Sequence, residues 1–272
     1  MNKKEQLPIG VFDSGLGGLT VVRQLQRVLP HEHIIYLGDN ARVPYGTRSA
    51  QTVERYAWNC ADFLVRRGLK MLVIACNTAS AVAVDSLRQR LEVPVLGVIR
   101  AGAKVAVKAS TRKRIGVIGT AGTVGSGAYP REIKQLDSAV DVFQNAAPLL
   151  VPLVEEGWIE GDVPMQAIQR YVAPLVSEKI DVLLLGCTHY PVLQSSIETE
   201  LRKMGSDALV VDSATAMAIE VSETLETYGL LRTDSFPGEL RCYVTDWPDS
   251  FIDVAERFLG HSLGTVEKVD IS

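Results

Sequence analysis

Short runs of aliphatic and β-branched residues alternate along this chain with helix-length stretches of mixed character. The runs predict strands at Ile9–Asp13, Ile34–Leu37, Met71–Ala75, Val95–Val98, Ile115–Gly119, Val182–Leu185, Ala208–Val211 and Cys242–Thr245. The stretches between them predict helices at about Leu19–Leu29, Ala50–Arg67, Ala79–Arg90, Ala101–Ala109, Tyr129–Leu136, Pro164–Glu178, Val192–Met204, Ala214–Tyr228 and Phe251–Leu259. Pro30 and Gly68 follow the first two helices, and Pro191 sits at an expected helix start. Met71–Ala75 and Val182–Leu185 are apolar at every position instead of alternating, the pattern of parallel strands covered on both faces. The whole predicts an α/β fold with mainly parallel sheets.

An internal echo adds to this. Ile9-Gly-Val-Phe-Asp13 resembles Ile115-Gly-Val-Ile-Gly119, and Met71-Leu-Val-Ile-Ala-Cys76-Asn-Thr78 resembles Val182-Leu-Leu-Leu-Gly-Cys187-Thr-His189. The pairs keep their order and nearly their offset, which points to a duplicated α/β unit. Each half then places a cysteine just past the carboxyl end of a parallel strand, where open α/β sheets bind ligands. Two such halves would set two cysteines across one cleft.

Composition narrows the class. The chain has 272 residues, 47% of them hydrophobic and 22% charged, as in ordinary globular proteins. Its net charge of −4 argues against a nucleic-acid binder, and no apolar run reaches the roughly 18 residues of a membrane span. Met1–Ser14 does not read as a signal peptide. Four cysteines (Cys60, Cys76, Cys187, Cys242) with no export signal and no Cys-x-x-Cys pair do not form a disulfide framework or a zinc site. Cys60, inside a helix, and Cys242, in a late strand, read as core thiols.

The remaining two have chemistry nearby. Cys76-Asn77-Thr78-Ala79-Ser80 leads from a strand into a helix, with Asn77 or Thr78 as the cap. A thiol there feels the positive end of the helix dipole, which favours thiolate; the alternative is a small apolar side chain at a packed strand end. Cys187-Thr188-His189-Tyr190-Pro191 repeats the geometry, and His189 is placed either to tune Cys187 or to be satisfied by backbone groups. A Cys-x-His pair alone supplies too few ligands for a metal. Asp13-Ser14-Gly15-Leu16-Gly17-Gly18 ends the first strand and matches neither glycine-rich nucleotide motif, so Asp13 is a proton-transfer group, an ammonium partner or a turn residue. Pro44-Tyr45-Gly46 has turn chemistry, and Glu155 and Glu156 sit beside Gly157, just before it. Two thiols on one cleft suit disulfide exchange, or inversion of a carbon stereocentre by a base on one face and an acid on the other.

The segments Val11–Gly18, Pro44–Gly46, Ala75–Ser80 and Gly186–Pro191, in this order along nearly the whole chain, resemble the bacterial glutamate racemases of the aspartate/glutamate racemase superfamily. His189 and Ser80 resemble the glutamate branch, where aspartate racemases carry Glu and His. Ala147-Pro148 and Phe12 depart from the family's frequent Cys-Pro and Ile. The resemblance implies two similar three-layer α/β domains related by a pseudo-two-fold, with the site in the cleft between them. One domain would comprise 1–98 plus 210–272 and carry Cys76; the other would comprise 99–209 and carry Cys187. It implies cofactor-independent interconversion of L- and D-glutamate in the cytoplasm, with no metal, supplying peptidoglycan synthesis, and a homodimer. By the family pattern Cys76 and Cys187 exchange protons with the substrate, Asp13 and His189 assist them, and Glu155 is a helper. Asp13, Ser14, Tyr45, Gly46, Asn77, Thr78, Thr188 and His189 would hold the substrate.

Overall fold

A computed structural model describes residues 4–247 and 251–271, so the first three residues of Met1–Ser14 lie outside the described residues. In chain order the elements are β1 (Ile9–Asp13), α1 (Leu19–Val28), β2 (Ile34–Gly38), α2 (Ala50–Val65), β3 (Met71–Ile74), α3 (Asn77–Arg90), β4 (Val95–Gly97) and α4 (Val98–Ala109). There follow β5 (Arg114–Gly119), α5 (Ala121–Ser126), α6 (Ala128–Leu136), β6 (Asp141–Ala146), α7 (Leu150–Glu155), α8 (Asp162–Ser177) and β7 (Val182–Gly186). The chain continues through α9 (Gln194–Lys203), β8 (Leu209–Asp212), α10 (Ser213–Thr227), β9 (Leu240–Val244), α11 (Phe251–Leu259) and β10 (Val266–Lys268).

The strands form two parallel sheets, ordered β10-β9-β2-β1-β3-β4 and β6-β5-β7-β8. The order β2-β1-β3-β4 in the first recurs as β6-β5-β7-β8 in the second. The register recurs as well: Ile9 pairs with Met71, and Ile115, its counterpart in the echo, pairs with Val182. Even the packing beneath the strands repeats. A Cβ on Gly10 would come 2.7 Å from Leu69 Cδ1, and one on Gly116 would come 2.7 Å from Ile180 Cδ1.

Both faces of the central strands are covered, as their unbroken apolar character predicts. Ile9, Val11, Met71, Val73, Leu183 and Leu185 enter one core that continues through both sheets, together with residues of α1, α8, α9, α10 and α11. Leu72 and Ile74 face a second core under α2 and α3, and Val182 and Leu184 face a third under α4 and α6. Helix α10 packs against both α1 and α4 and so joins the two sets. Among the described residues no helix is long and apolar enough to cross a membrane.

Most predicted elements stand within two residues of expectation. α4 starts at Val98, three residues before the expected Ala101, because the Ser80 hydroxyl accepts the Val98 N–H at 3.1 Å and satisfies that first-turn donor. The stretch expected to open the Val192–Met204 helix is instead a 3-10 turn over Tyr190–Leu193 before α9. β6 and β10 lie at sheet edges and were not expected; β6 carries Asp141, Gln144 and Asn145, and β10 has only 3 residues.

Candidate active site

The carboxyl ends of β1 and β3 in one sheet and of β5 and β7 in the other converge on a cavity of about 280 Å³. That is near the low end of small-molecule sites, which run from roughly 300 to 1,000 Å³. Its lining includes Ser14, Tyr45, Gly46, Cys76, Asn77, Thr78, Thr120, Glu155, Cys187, Thr188 and His189. The structure therefore brings together every residue that the resemblance assigns to the site except Asp13, which is fully buried outside this lining set. Both thiols are buried, and Ser80 is turned elsewhere, donating to Ile74 O at 2.9 Å.

Cys76 itself caps α3: its backbone is extended, its sulfur accepts the Ala79 N–H at 3.4 Å, and its thiol donates to Ser14 Oγ at 3.5 Å. The expectation that Asn77 or Thr78 caps this helix is corrected, since Asn77 is already helical and its amide is engaged by Tyr129. Of the two readings left open for this thiol, the pull of the helix dipole toward thiolate is outweighed. Burial, with the Asp13 carboxyl nearby, pushes the Cys76 thiol up to about 12, against its contact with Ser14 and the Ala79 N–H at the helix N-terminus.

Asp13 is anchored by the N–H groups of Gly15 (3.2 Å) and Gly18 (3.0 Å), both to Oδ2, while its buried Oδ1 has no hydrogen-bond partner. Burial raises its pKa, opposed by His189 and the backbone donors. The glycines permit this close loop: a Cβ on Gly18 would lie 2.5 Å from Asp13 Cβ, and one on Gly17 would run into Thr188 and the His189 ring. Thr20 Oγ1 donates to Thr188 O at 3.3 Å, so the first turn of α1, which follows β1, rests on the loop after β7 of the other sheet.

On the opposite side, His189 Nδ1 lies 3.9 Å from Cys187 Sγ, and its Nε2 lies 3.0 Å from Glu155 Oε1. Burial opposes charge on this imidazole, but Cys187 and Glu155 outweigh it and hold the pKa up at about 10. The ring packs edge-on against Phe258 of α11, and Arg257 donates to Val154 O at 2.7 Å, fixing the end of α7 that carries Glu155.

Three features escaped the sequence. Thr120 lines the cavity and joins Thr78 (2.9 Å) and Thr123 (3.0 Å), tying the two halves. Extending the echo by one residue beyond Gly119 pairs Thr120 with Ser14, which would have found it. Asp39 sits behind Tyr45, accepting its hydroxyl, Arg42 Nε at 2.6 Å and Thr245 Oγ1 at 3.0 Å, with no motif to mark it. Cys60 is buried as expected, yet its thiol points at this same carboxylate at 3.9 Å. Tyr129 is the third.

A parallel two-sheet α/β protein that presents two cysteines from matching strand ends to one cavity, each with its own ionisable companion, is built for acid–base chemistry on a small molecule. The chain belongs to the Asp/Glu/Hydantoin racemase family, whose sequence model matches residues 9–221. It is 48% identical over 270 residues to the glutamate racemase of Syntrophus aciditrophicus, covering 99% of both chains. The glutamate racemase of Francisella tularensis, solved in complex with D-glutamate, superposes with a TM-score of 0.92 at 37% identity, covering 98% of this chain and 99% of that one. Isoform RacE1 from Bacillus anthracis gives 0.92 at 41% identity, with 98% of each chain covered.

Proposed function

We propose that the protein racemises glutamate by passing protons between two thiols and the substrate α-carbon, without a cofactor. The observation that carries this reading is the pair Cys76 and Cys187 at equivalent strand ends lining one cavity. The glutamate racemase identity of the relatives supplies the substrate.

The two thiols have different surroundings: His189 Nδ1 lies 3.9 Å from Cys187 Sγ, whereas burial beside Asp13 holds Cys76 as a thiol. Cys187 thiolate then removes the α-proton of L-glutamate. The electron pair left on the carbon spreads into the α-carboxylate, and Cys76 delivers its proton to the opposite face, leaving D-glutamate and a Cys76 thiolate. In reverse Cys76 abstracts and Cys187 protonates, with Asp13 and His189 as their respective assistants and Glu155 holding His189. No Lys or Arg is among the described residues lining the cavity, so the substrate's carboxylates fall to His189, to the hydroxyls and N–H groups of Ser14, Gly46, Thr78 and Thr188, to the Asn77 amide, and to the α3 N-terminus, with Tyr45 shaping the wall.

On this reading two halves close on the substrate, 1–98 plus 210–272 and 99–209, with the return crossing around β8. The D-glutamate product serves peptidoglycan synthesis, and the enzyme works as a cytoplasmic homodimer. These assignments rest on the family resemblance. The reading is tested by incubating the protein with L- or D-glutamate in deuterium oxide, with no pyridoxal phosphate or metal added. Inversion with deuterium entering at Cα supports it, and preferential turnover of aspartate overturns the substrate.

A further inference from the structure

Asn77 opens α3 beside Cys76, and its amide is only half satisfied. Its Oδ1 accepts a hydrogen bond of 2.6 Å from the Tyr129 hydroxyl. Its Nδ2 is buried with no hydrogen-bond partner, although the residue lines the cavity. Buried amide N–H groups rarely go unpaired, and one at a binding cavity marks a place where a ligand acceptor fits.

Tyr129 reaches Asn77 from the other half of the molecule. It stands on α6, fully buried, in space that two glycines leave open. A Cβ on Gly102 of α4 would come 3.1 Å from the phenol oxygen, and one on Gly186 would come 2.9 Å from the ring carbon Cε2. Gly186 directly precedes Cys187, so the ring braces the strand end that carries one thiol while its hydroxyl holds the residue after the other. Burial keeps the phenol protonated. Its hydrogen is therefore committed to Asn77 Oδ1, which fixes the orientation of the amide and leaves Nδ2 as the free donor.

We propose that Tyr129 is a positioning residue for substrate binding: it locks the Asn77 amide so that Nδ2 donates to a carboxylate of the amino-acid substrate. The inference rests on the racemase reading above. Without the hydroxyl the amide can turn, and an Oδ1 facing a carboxylate repels what Nδ2 attracts.

The test is steady-state racemisation of glutamate by wild type, Tyr129→Phe, Asn77→Ala and the double variant, with thermal unfolding as a check on folding. Tyr129→Phe keeps the ring and its packing. It is expected to raise KM about tenfold or more, the order of one lost hydrogen bond to a charged group, while kcat changes less than KM. Asn77→Ala should raise KM similarly, and adding Tyr129→Phe to it should change nothing further, because the hydroxyl acts only through the amide. An unchanged KM in Tyr129→Phe, or an equal effect of that change in both backgrounds, overturns the role of Tyr129. Wild-type protein that does not racemise glutamate overturns the racemase reading and this inference together.

Discussion

At His189 two opposing effects meet, and their balance has a pH signature. Burial favours the neutral ring, Cys187 and Glu155 favour the cation, and the partners prevail, with the pKa held at about 10 against an ordinary 6.5. A folded pKa above the unfolded one stabilises the fold fully below the unfolded value and is lost as pH rises through the folded value. The contribution of His189 is therefore expected to fade between pH 6.5 and about 10. Urea unfolding of wild type should show a larger fall in stability across this window than His189→Gln; equal falls would contradict the assignment. Replacing Glu155 by Gln removes one source of the upward shift, so the alkaline limb of kcat/KM for L-glutamate should move to lower pH. An unmoved limb would mean that Glu155 does not govern the imidazole. Single residues were unevenly legible: the thiols, Asp13 and His189 announce themselves by chemistry at strand ends. Asp39 and Tyr129 do not, because their roles depend on Thr245, Gly102 and Gly186, which only folding brings near them.

The repeated element is a strand with glycine second in the echoed motif, pressed onto an aliphatic side chain just before the neighbouring strand: Gly10 on Leu69 and Gly116 on Ile180. A methyl at Gly116 would overlap Ile180 Cδ1, so Gly116→Ala is expected to destabilise the protein by about 1–3 kcal/mol, as overpacking does. Pairing it with Ile180→Val, which removes that carbon, should recover part of the loss in urea denaturation. No recovery would locate the strain elsewhere. The neighbouring strands β3 and β7 were the most legible in sequence, because burial on two faces demands apolar residues at every position. β6 was illegible for the converse reason. An edge strand with partly exposed Asp141, Gln144 and Asn145 carries a pattern no different from a loop.

At the scale of the molecule, one hydrophobic core runs through both sheets, and α10 packs on both sides of the junction. Halves that share a core should unfold together, so chemical denaturation is expected to give one transition by both fluorescence and circular dichroism. Two separated transitions would mean that the halves are energetically independent. The echo in the sequence foretold two related units because identical strand order and register leave similar strands at equivalent places. The echo did not reveal the shared core, whose contacts join residues far apart in the chain. The central claim is that two thiols on one cavity carry the proton in opposite directions. The most direct test is the racemisation rate of Cys76→Ala and of Cys187→Ala, each measured with L- and with D-glutamate. The account predicts that either change lowers turnover by a factor on the order of 10² to 10⁴ or more in both directions, since every inversion needs both an acid and a base. Full activity in either variant would contradict it.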